Sequence, residues 1–162
     1  MRIAIISDIH DHLSALERVL EQLDDCDALL CLGDLCAPFT LHAIAEGFKG
    51  PIHVVWGNND GDRALLTLVG GRFEQVTLHG EFAFVTLGDR KIAMTHYPVL
   101  AAALAAGQQY DMVCCGHSHE RSISKQGHTL LVNSGEVMGR FGAARYAVYD
   151  SESHQVTLHQ VD

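Results

Sequence analysis

Three short apolar runs near the start of the chain constrain its fold more than any other feature. They are Arg2–Ile6, residues 28–32 and residues 52–56. Each has strand length and is rich in Ile, Leu or Val, as fully buried strands are. After the first run, Leu13, Leu16, Leu20 and Leu23 fall on one helical face. Ser14 and Glu17 have capping-box spacing, and a start as early as Asp11 is allowed. A second helix is expected over residues 40–46. The order β-α-β-α-β calls for a parallel sheet with right-handed crossovers. The third run ends in Gly57-Asn58-Asn59-Asp60-Gly61, a strong turn signal.

The second half reads as strands at Phe82–Leu87, 91–95, Met112–Cys115, Thr129–Asn133, 145–149 and 156–159. Gly88-Asp89 joins the first two as a tight hairpin. A second sheet packed on the first, with helices outside, is the simplest architecture: one α/β sandwich domain over residues 1–162. A chain of 162 residues, 48% of them apolar, has enough material for a core of that kind.

Composition narrows the function. Apolar runs such as residues 99–106 are too short to span a bilayer. Residues 1–6 reach Ser7-Asp8 too soon for a signal peptide. The five Cys, an odd number, have no Cys-x-x-Cys spacing. They read as reduced thiols of a cytoplasmic protein rather than as disulfides or a thiolate zinc site. The net charge of −9 suits neither a nucleic-acid duplex nor an anionic membrane. It would also repel a phosphate substrate unless bound cations reverse the field locally. The 11 His residues stand out because His is the commonest metal ligand.

Polar clusters follow the apolar runs: Asp8-Ile9-His10, Gly33-Asp34, Gly57-Asn58-Asn59-Asp60, Thr95-His96 and Gly116-His117-Ser118-His119. In open α/β sheets ligands bind at the carboxyl ends of strands, so these clusters are expected along one rim. There Asp8, His10, Asp34, Asn58, His96, His117 and His119 would offer oxygen and imidazole ligands suited to Mn, Fe, Zn or Ni. The glycines before Asp34, Asn58 and His117 would let the backbone turn beneath them. Each cluster alone has an ordinary explanation: Asp8 as a helix cap, Gly33-Asp34 and Asn58-Asn59 as turns, His96 as a hydrogen-bonded interior ring. It is their repetition after successive strands that favours a metal site. His42, His53, His79, His128, His154 and His159 lack ligand-like neighbours and read as surface or strand-face residues. His12, two residues after His10, borders the cleft at most.

Taken in order, these blocks resemble the calcineurin-like metallophosphoesterases, whose pattern is Asp-x-His, Gly-Asp, Gly-Asn-His-(Asp/Glu), a His after a strand, and Gly-His-x-His. Chain length and the segment Asn133-Ser134-Gly135-Glu136-Val137-Met138-Gly139 are similar to the small bacterial and archaeal phosphodiesterase branch, whose fold a retromer subunit shares. The resemblance implies a four-layer α/β/β/α sandwich of two mixed sheets flanked by helices. It also implies two divalent ions per chain, Mn first, with Ni, Fe and Zn as alternatives. Asp8, His10, Asp34 and His119 would hold one ion. Asp34, Asn58, His96 and His117 would hold the other, with Asp34 bridging. The implied reaction is hydrolysis of a small-molecule phosphodiester by a metal-bound hydroxide, with a net positive site receiving the phosphate. Asp34, Asn58, Asn59 and Asp60 form the expected catalytic set.

Two departures bear on activity. Asn59 stands where the family's third block has His, the residue held to protonate the leaving group or stabilise the transition state. Small relatives often lack it as well. Its replacement argues against strong monoesterase activity, and Asp60 would be placed to orient a ring at position 59. Tyr97-Pro98 follows His96 where Gly is common; Tyr97 either lines the cleft or is simply packed. Among other functions, a non-catalytic interaction module of the same fold is disfavoured by the complete ligand set. A nuclease is disfavoured by the lack of a basic tract. A homo-oligomer is compatible with the sequence. Gly107-Gln108-Gln109-Tyr110 and the Phe141 region are candidates for contact with substrate or a partner subunit.

Overall fold

The computed structural model describes residues 1–140 and 142–161. The strand β1 (Arg2–Ile6) shows why its sequence is a continuous apolar run. Ala4 and Ile6 point into one core layer and Ile3 and Ile5 into another, all four wholly buried. A strand covered on both faces has no polar face to display. It pairs in parallel with β2 (Ala28–Cys31), which pairs in parallel with β3 (Ile52–Val54) and that with β4 (Val76–Leu78). On its other side β1 pairs antiparallel with β10 (Ala144–Asp150), which is followed by β11 (Gln155–Val161). The helices α1 (Leu13–Leu20), α2 (Pro38–Gly47) and α3 (Arg63–Gly70) belong to this six-stranded sheet.

The second sheet has the order β5-β6-β7-β9-β8. Its strands are β5 (Phe82–Leu87), β6 (Arg90–Thr95), β7 (Met112–Cys115), β8 (Ser122–Gln126) and β9 (Thr129–Asn133). Here β6, β7 and β9 run parallel, with β5 and β8 antiparallel at the edges. One helix, α4 (Pro98–Ala106), covers its outer face through Ala101 and Ala105. Three apolar layers result: helices against the first sheet, sheet against sheet, and the second sheet against α4. This is the expected α/β/β/α sandwich of two mixed sheets.

Local departures have local causes. Ser14 lies inside α1, and the residue before the helix, His12, forms no side-chain cap, so the capping box is not made. The α2 helix starts at Pro38, a residue well suited to a first helical position because it needs no N–H partner. Four elements have little sequence signature. Both α3 and β4 are short. The α4 sequence, Pro-Val-Leu-Ala-Ala-Ala-Leu-Ala-Ala, has no polar face and therefore no period. Strand β8 is a polar edge. The Gly88-Asp89 hairpin is as expected, with φ of 54° and 62°, the left-handed pair of a type I′ turn.

Two of the histidines set aside in the sequence are partners. His53 Nδ1 lies 2.9 Å from His79 Nε2, and both rings are partly buried. Burial lowers the pKa of each, and His79 lowers His53 further. The folded protein therefore resists protonating this pair, whereas the unfolded chain takes up protons below about pH 6.5. The unfolded state then binds more protons, and stability is lost as pH falls through that value. In urea denaturation between pH 5 and 7.5, His79→Gln should flatten the rise of stability with pH relative to wild type. An unchanged slope would show that the pair does not titrate differently on folding.

Candidate metal centre

The parallel strands β1, β2, β3, β6, β7 and β9 all deliver polar residues at their carboxyl ends. Backbone bonds tie these ends together: Asp8 N–H to Gly33 O (3.1 Å), Ile9 N–H to Asp34 O (2.9 Å) and Gly116 N–H to His96 O (3.1 Å). Candidate ligands Asp8, His10, Asp34, His117 and His119 all have positive φ, between 45° and 70°. Left-handed backbone is unfavourable for residues with a Cβ and clusters where function demands it. Close approach explains two of the glycines. A Cβ on Gly57 would lie 2.2 Å from Asp34 Oδ1, and one on Gly116 would lie 1.8 Å from Ser7 Oγ. Of the three glycines expected to turn beneath ligands, only Gly33 has positive φ; Gly57 and Gly116 are there for space.

The ligands fall into two groups. Asp8, His10 and His119 bring ligand atoms within 4.8 Å of one another, and so do Asp34, His96 and His117. Asp8 is wholly buried. Its Oδ2 accepts hydrogen bonds from Ser7 Oγ (2.6 Å) and the His117 backbone N–H (2.9 Å). Among the described residues its Oδ1 has no hydrogen-bond partner, and neither has His10 Nε2, 3.8 Å away. Buried polar atoms are rarely left unsatisfied, and two that face each other fit a cation between them. His119 Nε2 lies 3.5 Å from the same Oδ1, its ring stacked on His10.

In the second group, His96 Nδ1 sits 2.8 Å from Leu32 O and so carries the proton. Its Nε2 faces Asn58 Oδ1 at 3.1 Å and Asp34 Oδ2 at 3.4 Å, where an ion would meet it in place of a proton. Asp34 Oδ2 is also 3.6 Å from His10 Nε2, so one carboxylate oxygen faces both groups. The donor set of carboxylate, amide oxygen and imidazole fits a pair of divalent transition ions.

Electrostatics agrees. Burial pushes the Asp8 carboxyl up, against the hydrogen bond from Ser7 and the nearby His96 and His119. Burial would raise Asp34 too, but bonds from His96 and from the Asn59 backbone and side chain outweigh it and hold Asp34 well below the usual carboxylate range. Burial alone would lower His96; its bond to Asp34 and the charges of Asp34 and Asp8 raise it instead.

Asn59 points its amide at the site, with Nδ2 donating to Asp34 Oδ2 (2.7 Å) and its backbone N–H to Oδ1 (2.8 Å). Asp60 has a different task from the one its spacing suggests. Its Oδ2 accepts from Gly57 N–H (2.7 Å) and Asp34 N–H (3.1 Å), and its Oδ1 from Cys36 N–H (2.8 Å). Both oxygens stitch the two ligand loops together, and neither bonds to Asn59 among the described residues. Tyr97 packs edge-on against His96 and His117, at 5.2 and 5.6 Å between ring centres, and lines the site. His12 Nδ1 is held by Met138 O (2.6 Å). Residues 107–110 follow the far end of α4, beside Asp111, which bonds to Lys91 at the start of β6. That is the end of α4 remote from His96. Phe141 lies outside the described residues.

Glu136 is the site residue that the motif pattern does not single out. It is wholly buried just after β9, with Oε2 at 2.5 Å from His119 Nδ1. Its signal was available: Asn133-Ser134-Gly135-Glu136 is one more polar cluster after an apolar strand. A cavity of about 620 Å³ between α1 and α2 is lined by no candidate ligand, so donor chemistry rather than cavity volume singles out the site.

The sequence profile of the calcineurin-like phosphoesterase superfamily domain matches residues 1–154. The chain belongs to this superfamily. Phosphodiesterase MJ0936 of Methanocaldococcus jannaschii is 30% identical over 161 residues, covering 96% of each chain. A solved structure described as a novel archaeal phosphodiesterase superposes with a TM-score of 0.90 at 27% identity, covering 99% of this chain and 100% of that one. Vps29 from Entamoeba histolytica, at a TM-score of 0.70 and 18% identity over 100% of this chain and 99% of its own, shares the fold alone. The chain thus sits with the small archaeal and bacterial phosphodiesterase branch of the superfamily.

The clamp made by Asp60 gives a test of how the ligand loops are held. Asp60→Asn turns an acceptor into an amide NH₂ facing backbone N–H groups. Leaving a buried donor without its acceptor costs about 1–3 kcal/mol. Urea denaturation of the metal-free protein should show a loss of that size. An unchanged midpoint would show that the loops hold without the carboxylate.

Proposed function

We propose that this protein is a metal-dependent phosphodiesterase that hydrolyses a small-molecule phosphodiester at a two-ion site. The observation that carries the reading is the pair of buried, unsatisfied ligand atoms, Asp8 Oδ1 and His10 Nε2, at the centre of convergent carboxylates and imidazoles. Asp8, His10, Asp34 and His119 would hold one ion, and Asp34, Asn58, His96 and His117 the other. Mn is the first choice, since Mg prefers all-oxygen sites. When bound, the ions would supply Lewis acidity and lower the pKa of water from 15.7 toward about 7.

The chain's own residues arrange the rest. The carbonyl of Leu32 fixes the His96 tautomer so that a bare nitrogen meets the site. Asn59 holds the Asp34 carboxylate by two hydrogen bonds and so fixes its oxygens in place. Asp60 sets the distance between the loops that carry Asp34 and Asn58. Tyr97 offers an aromatic edge beside His117 against which an aryl or nucleobase group could pack. The overall charge of −9 makes polynucleotide a poor substrate, which favours a small diester. No described helix is long and apolar enough to cross a membrane. All five cysteines are free, which suits the cytoplasm. The complete ligand set argues against a non-catalytic binding module.

Metal dependence tests the reading directly. Exhaustive chelation should abolish hydrolysis of an aryl phosphodiester. Reloading with Mn(II) or Ni(II) should restore it better than Mg(II). Full activity in the chelated protein would overturn the proposal.

A second test concerns leaving groups. Asn59 can donate a hydrogen bond but has no proton to transfer at neutral pH, whereas a general acid contributes about 10²–10⁴-fold, most for poor leaving groups. Rates over a series of aryl and alkyl diesters should therefore fall steeply as leaving-group pKa rises. Asn59→His should help the poor leaving groups more than the good ones. A flat wild-type series with chemistry rate-limiting would mean that another residue is the acid, with His12 the next candidate.

A further inference from the structure

The rings of the candidate ligands differ in what holds their outer nitrogens. His96 Nδ1 donates to a backbone carbonyl, that of Leu32. Among the described residues His10 Nδ1 meets only the Cys36 sulfur, at 3.6 Å, and sulfur is a weak partner. His119 Nδ1 instead meets the Glu136 carboxylate, at 2.5 Å. Glu136 is wholly buried, and burying a carboxylate costs several kcal/mol unless something compensates it. Its backbone is tightly fixed. Gly135 before it adopts φ of +80°, Glu136 O accepts from Arg145 N–H (2.9 Å), and Val137 N–H donates to Ser7 O (3.0 Å). The chain therefore places a carboxylate behind one ligand of one group.

We infer that Glu136 is a positioning residue that acts through His119 and makes the Asp8–His10–His119 group the tighter of the two ion sites. The inference rests on the two-ion reading above. The carboxylate accepts the Nδ1–H of His119, which fixes the tautomer and leaves Nε2 bare toward Asp8 Oδ1, 3.5 Å away. A carboxylate behind an imidazole also makes the ligating nitrogen more basic, and removing such an outer partner typically weakens metal affinity about 10–100-fold. Among the described residues the other group shows no carboxylate behind a ring: His96 leans on the neutral Leu32 carbonyl, and the His117 ring has no hydrogen bond. The two ions are thus expected to bind with different strengths, the first held by Asp8, His10 and His119 and the second exchanging more readily.

Calorimetric titration of metal-free protein with Mn(II), on wild type and Glu136→Gln, tests this. Wild type should take up two ions of unequal affinity. In Glu136→Gln the tighter one should weaken about 10–100-fold while the weaker one changes little. If wild type binds two ions and the variant holds both as tightly, Glu136 has no such role although the two-ion site stands. A variant that only lowers the metal-free midpoint overturns the inference in the same way. If wild type takes up no Mn(II), the two-ion reading itself fails and this inference with it. Should the variant not fold, long-range ¹⁵N–¹H spectra of wild-type His119 decide: Nδ1 should carry the proton at neutral pH, and a proton on Nε2 would overturn the inference.

Discussion

The burial of Asp8 between the two sheets is the constraint on which the rest of the structure depends. A carboxylate without solvent must have its oxygens met. One oxygen is met by Ser7 from its own strand and by the backbone of His117 from the other sheet. That arrangement works only if β1 and β7 end at the same level and if nothing larger than hydrogen stands at Gly116, where a Cβ would collide with both Ser7 and Asp8. The other oxygen is left facing His10 and His119. Sheet alignment, a glycine, and the electrostatics of the site thus follow from a single buried group.

The left-handed backbone at the ligands belongs to the same economy. A strand side chain normally projects across the sheet, not past its end. Turning the chain to positive φ just after the strand lets Asp8, Asp34 and His117 reach beyond the sheet edge toward a shared centre. Short loops cannot do this with ordinary backbone geometry, so the strain lies where the ligands are.

Much of this was legible in the sequence because the rule behind it is local. An apolar run followed by Asp, Asn or His reads as a strand end with a candidate ligand; the rule marks Asp8, His10, Asp34, Asn58, His96, His117 and His119, and six of these gather in two groups. What escaped was either non-local or without a period. The α4 helix carries only apolar residues, so no amphipathic signal marks it. Asp60 looks like a ring-orienting acid by spacing, yet which N–H groups its oxygens meet depends on how two loops fold together. His53 and His79, 26 residues apart, are joined only by the pairing of β3 with β4. Glu136 lies in the segment 133–139, whose likeness to the small branch assigns no task to the carboxylate; only the fold brings it behind His119.

The candidate ligands are divided between the sheets: Asp8, His10, Asp34 and Asn58 follow strands of the first, His96, His117 and His119 strands of the second. Whatever binds across them acts as a clasp on the open end of the sandwich. A ligand held only by the folded chain adds about 2.7 kcal/mol of stability at a hundred times its dissociation constant. If an ion sits across this rim, its binding and the cohesion of the two sheets are one equilibrium, and a chain deprived of it would be easier for a protease to open.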